Sequence, residues 1–186
     1  MTTSFPASPA AVAADGRSAP VTELPYAFGR SWLGGFLVAA GEHGVRAILL
    51  GDDPSELVAD LQRREPGATL LLAETALAPL TRQVERLLDT PGRPDELQLD
   101  LRGDPFQQKV WQVLRAIPAG ATVSYAAVAR QVGPPASAKD VADACAANSI
   151  AVAIPCHRVV RSDGSISGYR WGVRRKRALL AREARP

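Results

Sequence analysis

The hydrophobic pattern of this chain changes period once, and that change limits the fold more than any other feature. From Glu23 to Leu50 the apolar runs are short: Tyr26 to Arg30, Gly35 to Ala39 and Val45 to Leu50, each bounded by glycine-bearing turns, which reads as strands. Gly41-Glu-His-Gly44 has the composition of a hairpin tip, with His43 an exposed turn residue that carries no chemistry. Asp53-Pro54 opens a helix that places Leu57, Val58 and Leu61 on one face, and a second helix is expected from about Thr75 to Leu88. Leu97 to Leu101 alternates and stops at Gly103, the pattern of a strand returning to the first sheet. Beyond it the apolar spacing is helical. Asp104 caps a helix to about Ala116, Ser124 caps another to Val132, a third spans Ala136 to Asn148, and a basic one runs from Val173 to Ala184.

Strands followed by helices predict an α+β fold: a small N-terminal antiparallel sheet with helices, then a mostly helical part. The breaker-rich segment Asp89-Thr-Pro-Gly-Arg-Pro-Asp95 is the expected linker, giving a scaffold domain over 21–101 and a second domain over 102–186. Residues 1–20 are rich in Ala, Pro, Ser and Thr and lack the basic start and apolar core of a secretory signal, so a disordered tail is expected there. No apolar run reaches the roughly 18 to 20 residues that cross a bilayer.

Charge divides along the same line. Residues 1–100 hold 8 Lys and Arg against 14 Asp and Glu, a net of −6, whereas residues 101–186 hold 14 against 5, a net of +9. A polyanion would meet only the second half. That half also carries two short helices joined by the turn Gly133-Pro-Pro135, a helix-turn-helix signature. The second of these helices is smooth, with Ala136, Ser137, Ala138, Ala142, Ala144, Ala146 and Ala147. Alanines suit close approach to a narrow groove, and equally they form good helix and pack closely.

The stretch Ile154-Pro-Cys-His-Arg-Val-Val160 sets a thiol beside an imidazole. A cysteine attacks as thiolate, so its pKa must be lowered by a neighbouring base or cation, roles open to His157 and Arg158. A buried structural cysteine is the competing reading of the pair taken alone. With two cysteines, Cys145 and Cys156, and two histidines in the chain, a four-ligand zinc site would consume every one of them, so no metal is expected. A Cys145–Cys156 disulfide would silence the nucleophile and is disfavoured in the reducing cytoplasm where this chain is expected to reside.

Taken together, the second half resembles the O6-alkylguanine-DNA alkyltransferases, the methylated-DNA–protein-cysteine methyltransferases. The shared words are Phe106-Gln-Gln-Lys-Val-Trp111, Ile117-Pro-Ala-Gly120, Val123-Ser-Tyr125, Ala144-Cys-Ala-Ala-Asn148, Ile154-Pro-Cys-His-Arg-Val-Val160 and Ser167-Gly-Tyr-Arg-Trp-Gly172. The first half is similar through Tyr26 onward and Ala47-Ile-Leu-Leu-Gly-Asp-Asp53, so the likeness covers about residues 22 to 186. It is greatest to the C-terminal methyltransferase part of bacterial Ada-type adaptive-response proteins. The zinc-bearing regulatory part of such proteins has no counterpart in this sequence, so transcriptional control is not expected of it.

The resemblance implies a ribonuclease H-like N-terminal part and a monomeric, cofactor-free protein of DNA repair. Cys156 would take the alkyl group from O6-alkylguanine once and keep it. His157 would act through a bound water as base, Glu183 would orient the imidazole, and Asn148 would hold the active-site turn. The nucleotide would be flipped from double-stranded DNA through the minor groove by the smooth helix, with Ser124, Ser137, Ala138, Lys139 and Ala142 at the DNA. Tyr125 and the carbonyls of Cys156 and Val159 would bond the guanine, the Arg170 backbone would donate to its oxygen, and Tyr169 and Trp171 would wall the pocket, the bulk of Trp171 disfavouring large O-benzyl groups. O4-alkylthymine is a further possible substrate.

One position departs from the family pattern. An arginine usually fills the gap left by the flipped base, and here Lys139 stands there, followed by Asp140 and Asp143. Lysine lacks the planar, forked guanidinium, and carboxylates repel phosphates. Weaker or slower flipping is expected, relieved by Lys139→Arg with Asp140→Ala. Two other functions fit the same residues: a thiol hydrolase using Cys156 and His157, which would turn over, and a non-catalytic damage sensor, whose relatives lack the cysteine.

Overall fold

In the computed structural model of the chain, residues 22–91 and 97–184 are described. The expected tail 1–20 and most of the expected linker, residues 92–95, lie outside them. Among the described residues no helix is long and apolar enough to cross a membrane.

Strands β1 (Thr22–Ser31), β2 (Gly34–Gly41) and β3 (Gly44–Leu50) form an antiparallel meander, with a turn at Glu42-His43 as the composition predicts. Phe36, Leu37, Val38 and Ala39 of β2 are all buried. Side chains alternate between the faces of a strand, so a continuous buried run means both faces of the sheet are covered at its centre. Gly29 of β1 is part of this packing: a Cβ there would lie 2.1 Å from the ring of Phe36. Helix α1 (Pro54–Arg64) starts where Asp53 accepts from the backbone N–H of Ser55 at 2.7 Å, and it buries Leu57 and Leu61.

Two features of the sheet differ from expectation. A fourth strand, β4 (Ala68–Leu72), pairs with β1 and runs parallel to it, giving the order β3-β2-β1-β4; the sheet is antiparallel except at this edge. Its run Ala-Thr-Leu-Leu-Leu has no alternation to mark it, and Leu72 remains 57 % exposed. The expected strand Leu97–Leu101 returns to the sheet but pairs at one position, a parallel bridge between Leu99 and Val45. It can extend no further because β3 is only seven residues long and lends its other end to a second segment. There Ile48 bridges Ile150, with Ile48 N–H donating to Ser149 O and Ala151 N–H to Ile48 O, both at 2.9 Å. The open edge of the scaffold sheet thereby grips the chain six residues before Cys156.

Helix α2 (Glu74–Asp89) lies against β1 and buries Val84, Leu87 and Leu88. Helix α3 (Pro105–Arg115) begins with a reciprocal cap: Gln107 N–H donates to Asp104 Oδ1 at 2.8 Å and Asp104 N–H to Gln107 Oε1 at 3.2 Å. Helices α4 (Tyr125–Val132) and α5 (Ala138–Ala147) form the expected helix-turn-helix and pack on each other and on α3. A two-residue parallel pair, β5 (Val123–Ser124) with β6 (Val159–Val160), ties the start of α4 to the segment after Cys156. Helix α6 (Val173–Glu183) closes the described chain.

Candidate active site

Cys156, His157 and Arg158 form one 3-10 turn, buried between the segment bridged to β3 and strand β6. The approach to it is tightly bent. Val152 has φ of 67° although it is β-branched, and this strained turn persists where Ala151, Val152 and Ala153 are all buried.

Asn148 is the hub of that bend. At the C-cap of α5 and fully buried, it accepts from Ile150 N–H at 2.8 Å and donates from Nδ2 to Ile154 O at 3.1 Å and to Cys156 Sγ at 3.3 Å. A helix end, a turn and a sulfur thus meet on one amide. Burial pushes the Cys156 thiol up to about 11; the Asn148 bond and the charge of Lys176 oppose it without cancelling it. The resting sulfur is a neutral thiol near pH 7.

His157 is fully buried, with Nε2 at 2.8 Å from Glu183 Oε1. Burial holds its pKa below 6.5 against the pull of Glu183, so near pH 7 the ring is neutral. A neutral ring facing a carboxylate places its proton on Nε2, which leaves the Nδ1 lone pair as a base; Nδ1 is buried and has no partner among the described residues. Glu183 is fixed from two further directions. Arg158 forks onto it with Nη2 to Oε1 at 2.8 Å and Nε to Oε2 at 3.0 Å, and Gly120 N–H donates to Oε2 at 3.3 Å. Gly120 has φ of 78°, and a Cβ there would lie 3.1 Å from Glu183 O. Burial raises the Glu183 carboxyl, but bonds from His157 and Arg158 outweigh it and bring it down to about 2.

These shifts give the fold an acid-sensitive latch. A carboxyl lowered from 4.5 to about 2 stabilises the folded chain above pH 4.5, and that contribution is lost as pH falls toward 2. His157, lowered from 6.5, acts in the same sense and starts the loss below that value. Urea midpoints measured across pH 3 to 7 should therefore fall steadily with acid, and Glu183→Gln should flatten the lower part of that slope.

A cavity of about 570 Å³ opens beside the sulfur. Cys156, Tyr125 and Tyr169 line it with Cys145, Ser167, Gly168, Arg161 and Arg170, and α5 contributes Ala138, Lys139, Ala142 and Ala146. Both cysteines are free thiols, and burial raises Cys145 further than Cys156. Tyr125 Oη shares a 2.8 Å hydrogen bond with Ser167 Oγ, and burial raises its pKa above 10, so it keeps its proton.

About half of the residues singled out from sequence therefore line one space. Trp171 does not: its ring lines the neighbouring groove with Asp60, Arg170 and Arg175, and it backs Tyr169 edge-on at 5.3 Å between centroids. Tyr169 and Arg170 line the cavity and Trp171 does not, so Tyr169 and not Trp171 walls it. The Val159 carbonyl accepts one hydrogen bond from Lys176 Nζ, which leaves it a second lone pair. Ser124 and Ser137 serve as helix caps, accepting from Ala127 N–H at 3.1 Å and Asp140 N–H at 3.2 Å. Lys139 is exposed and paired with Asp143 at 2.6 Å.

Lys176 lies in the basic run of α6 and was not among the residues singled out from sequence. Its side chain is fully buried, bonds Val159 O, and lies 6.0 Å from the centroid of the Tyr125 ring. Its spacing of seven from Glu183, two helical turns on the same face, was the available signal.

Residues 105–185 match the family model described as the 6-O-methylguanine DNA methyltransferase, DNA binding domain. The chain is 51% identical over 159 residues to the bifunctional transcriptional activator/DNA repair enzyme Ada of Escherichia coli, a match covering 86% of this chain and 45% of that protein. It is 49% identical over 88 residues to the methylated-DNA–protein-cysteine methyltransferase of Mycobacterium bovis, covering 47% of this chain and 53% of the relative. The chain thus spans about half the length of the curated relatives it matches. Among solved structures, that of Mycobacterium tuberculosis OGT in complex with DNA aligns with a TM-score of 0.68 and 32% identity, covering 86% of this chain and 92% of that one. With the Cys156–Asn148–His157–Glu183 cluster set in this fold, the chain belongs to the O6-methylguanine-DNA methyltransferase family.

Proposed function

We propose that this chain repairs DNA by moving the alkyl group of O6-alkylguanine onto Cys156, once per molecule. The alkyl carbon exchanges its bond to O6 for a bond to Sγ, the C–O electron pair leaves with the guanine, and the thiol proton passes through a water to His157 Nδ1. Glu183 balances the imidazolium that forms, and Asn148 holds Sγ toward the cavity. The observation that carries this reading is the buried neutral thiol on the wall of a cavity that α5 of the helix-turn-helix also lines. A base inside a duplex cannot reach such a sulfur, so it must be flipped out, at a cost of a few kcal/mol. The alanines of α5 suit entry from the minor groove, Tyr125 donates to the guanine ring, and the Arg170 backbone N–H meets O6. Residues 21–101 serve as scaffold and 102–186 as the DNA-binding and alkyl-accepting part of a monomeric cytoplasmic protein.

Intact-mass measurement after mixing with an O6-methylguanine duplex tests the reading. One added methyl per chain is expected; binding with no added mass would favour a damage sensor, and repeated turnover a hydrolase.

Lys139 sets how well the duplex is held. Asp140 completes the capping box of α5, accepting from Ser137 N–H at 2.9 Å, so Asp140→Ala would also loosen the helix. The cleaner variant is Lys139→Arg/Asp143→Asn, which frees the cation and gives it a planar fork. It should bind methylated duplex several-fold more tightly at matched salt; equal affinity in a titration would show that residue 139 does not fill the flipped-base gap.

A further inference from the structure

The carboxylate of Asp60, on α1 in the scaffold half, receives Arg170 Nη2 at 2.8 Å on Oδ1 and 2.7 Å on Oδ2. Arg170 Nη1 also donates to Ala146 O at 3.1 Å. One guanidinium therefore ties three pieces together: the loop that carries Tyr169, the last turn of α5, and α1. Asp60 is steadied by Arg64 at 3.5 Å, and Arg64 in turn bonds Ala147 O at 3.1 Å and Ser149 Oγ at 2.6 Å. Side-chain exposures of 22% for Arg170 and 21% for Asp60 leave the pair only partly screened by solvent.

The loop needs such a tie. From Ser165 to Trp171 it has no helix or strand, and among the described residues the Arg170 N–H bonds no other group. We propose that Asp60 is a positioning residue for alkyl transfer, whose two-oxygen grip on Arg170 holds the loop so that the Arg170 backbone N–H faces the O6 of a bound guanine. This rests on the alkyl-transfer reading above. As the C–O bond breaks, negative charge grows on the leaving guanine, and a donor fixed at O6 stabilises it most if its position is set beforehand. The side chain does the fixing and the main chain the donating, so substitution separates the two roles.

The test uses the full chain and three readouts: the transfer rate at saturating methylated duplex, the duplex affinity, and the rate at which Cys156 is alkylated by methyl iodide. Methyl iodide needs no donor from the loop. Asp60→Ala should slow saturated transfer roughly 10- to 100-fold, the effect of misplacing a reacting group by about 1 Å, while affinity and methyl iodide reactivity hold. Asp60→Glu should recover part of the rate, and Asp60→Ala/Arg170→Ala should be no slower than Arg170→Ala alone, because both act through one contact. A wild-type rate in Asp60→Ala, additive losses in the pair, or a parallel loss of methyl iodide reactivity would each overturn the proposal. A wild-type chain that reacts with methyl iodide but takes nothing from the duplex would overturn the alkyl-transfer reading itself, and this one with it.

Discussion

Cys156→Ser should take up no methyl group at all while still binding methylated duplex. The substitution keeps the shape of the side chain and an acceptor for Asn148 Nδ2, which sits at 3.3 Å from the sulfur, so the turn has no reason to collapse. What it removes is the chemistry. Attack on a saturated carbon needs the polarisable thiolate, and an alcohol gives up its proton far less readily than a thiol. Cys145 cannot substitute, although it lines the same cavity, because burial raises its pKa further and no hydrogen bond reaches its sulfur among the described residues. Peptide mapping of the wild type after reaction should place the whole methyl on Cys156. A methylated Cys156→Ser chain, or methyl on Cys145, would refute the assignment of the acceptor.

The second large effect is expected at Glu183. Glu183→Gln should lower the single-turnover rate by about 10²- to 10⁴-fold, the range for losing general-base assistance. The carboxylate keeps the His157 proton on Nε2 and stabilises the ring once Nδ1 has taken a proton; a neutral amide does neither. The pH profile gives the sign. His157 already lies below 6.5, so the wild-type rate should be level near pH 7 and fall on the acid side, where protonation removes the base. Since Glu183 raises the His157 pKa, its loss should move that acid limb to lower pH while the plateau drops. Substitution also strands Arg158 as a buried unpaired cation, which costs about 3–5 kcal/mol. The double variant Arg158→Met/Glu183→Gln removes both charges and should fold better without regaining rate. A wild-type plateau in that double variant would exclude Glu183 from the reaction.

Much of the local structure was legible. The caps at Asp53, Asp104 and Ser124 are written as short polar residues ahead of apolar periodicity, and each forms as read, whereas α5 starts two residues later than expected, with Ser137 as its cap. Strand β4 was not, because five residues without alternation give no period to detect. Leu97–Leu101 alternates like a strand, yet it forms a single bridge, because pairing depends on how much edge β3 has left. In the site, Cys156, His157, Asn148 and Glu183 were all named from sequence, and they meet. Lys176, buried inside a run of arginines, and Asp60, on a helix read as scaffold, were not.

The words around Cys156, with the switch from strand to helix period, were enough to determine the fold class, the family and the nucleophile. Those depend on residue type and short-range spacing, which the chain carries in plain order. Tertiary structure decided the rest: that the sulfur is a neutral thiol, that the Nδ1 of His157 is its free nitrogen, that Trp171 does not line the cavity, and that Asp60 bonds Arg170. Each of these follows from burial or from contacts between residues far apart in sequence, such as the 110 positions separating Asp60 from Arg170. Desolvation and long-range pairing exist only once the chain has folded, so no local pattern encodes them.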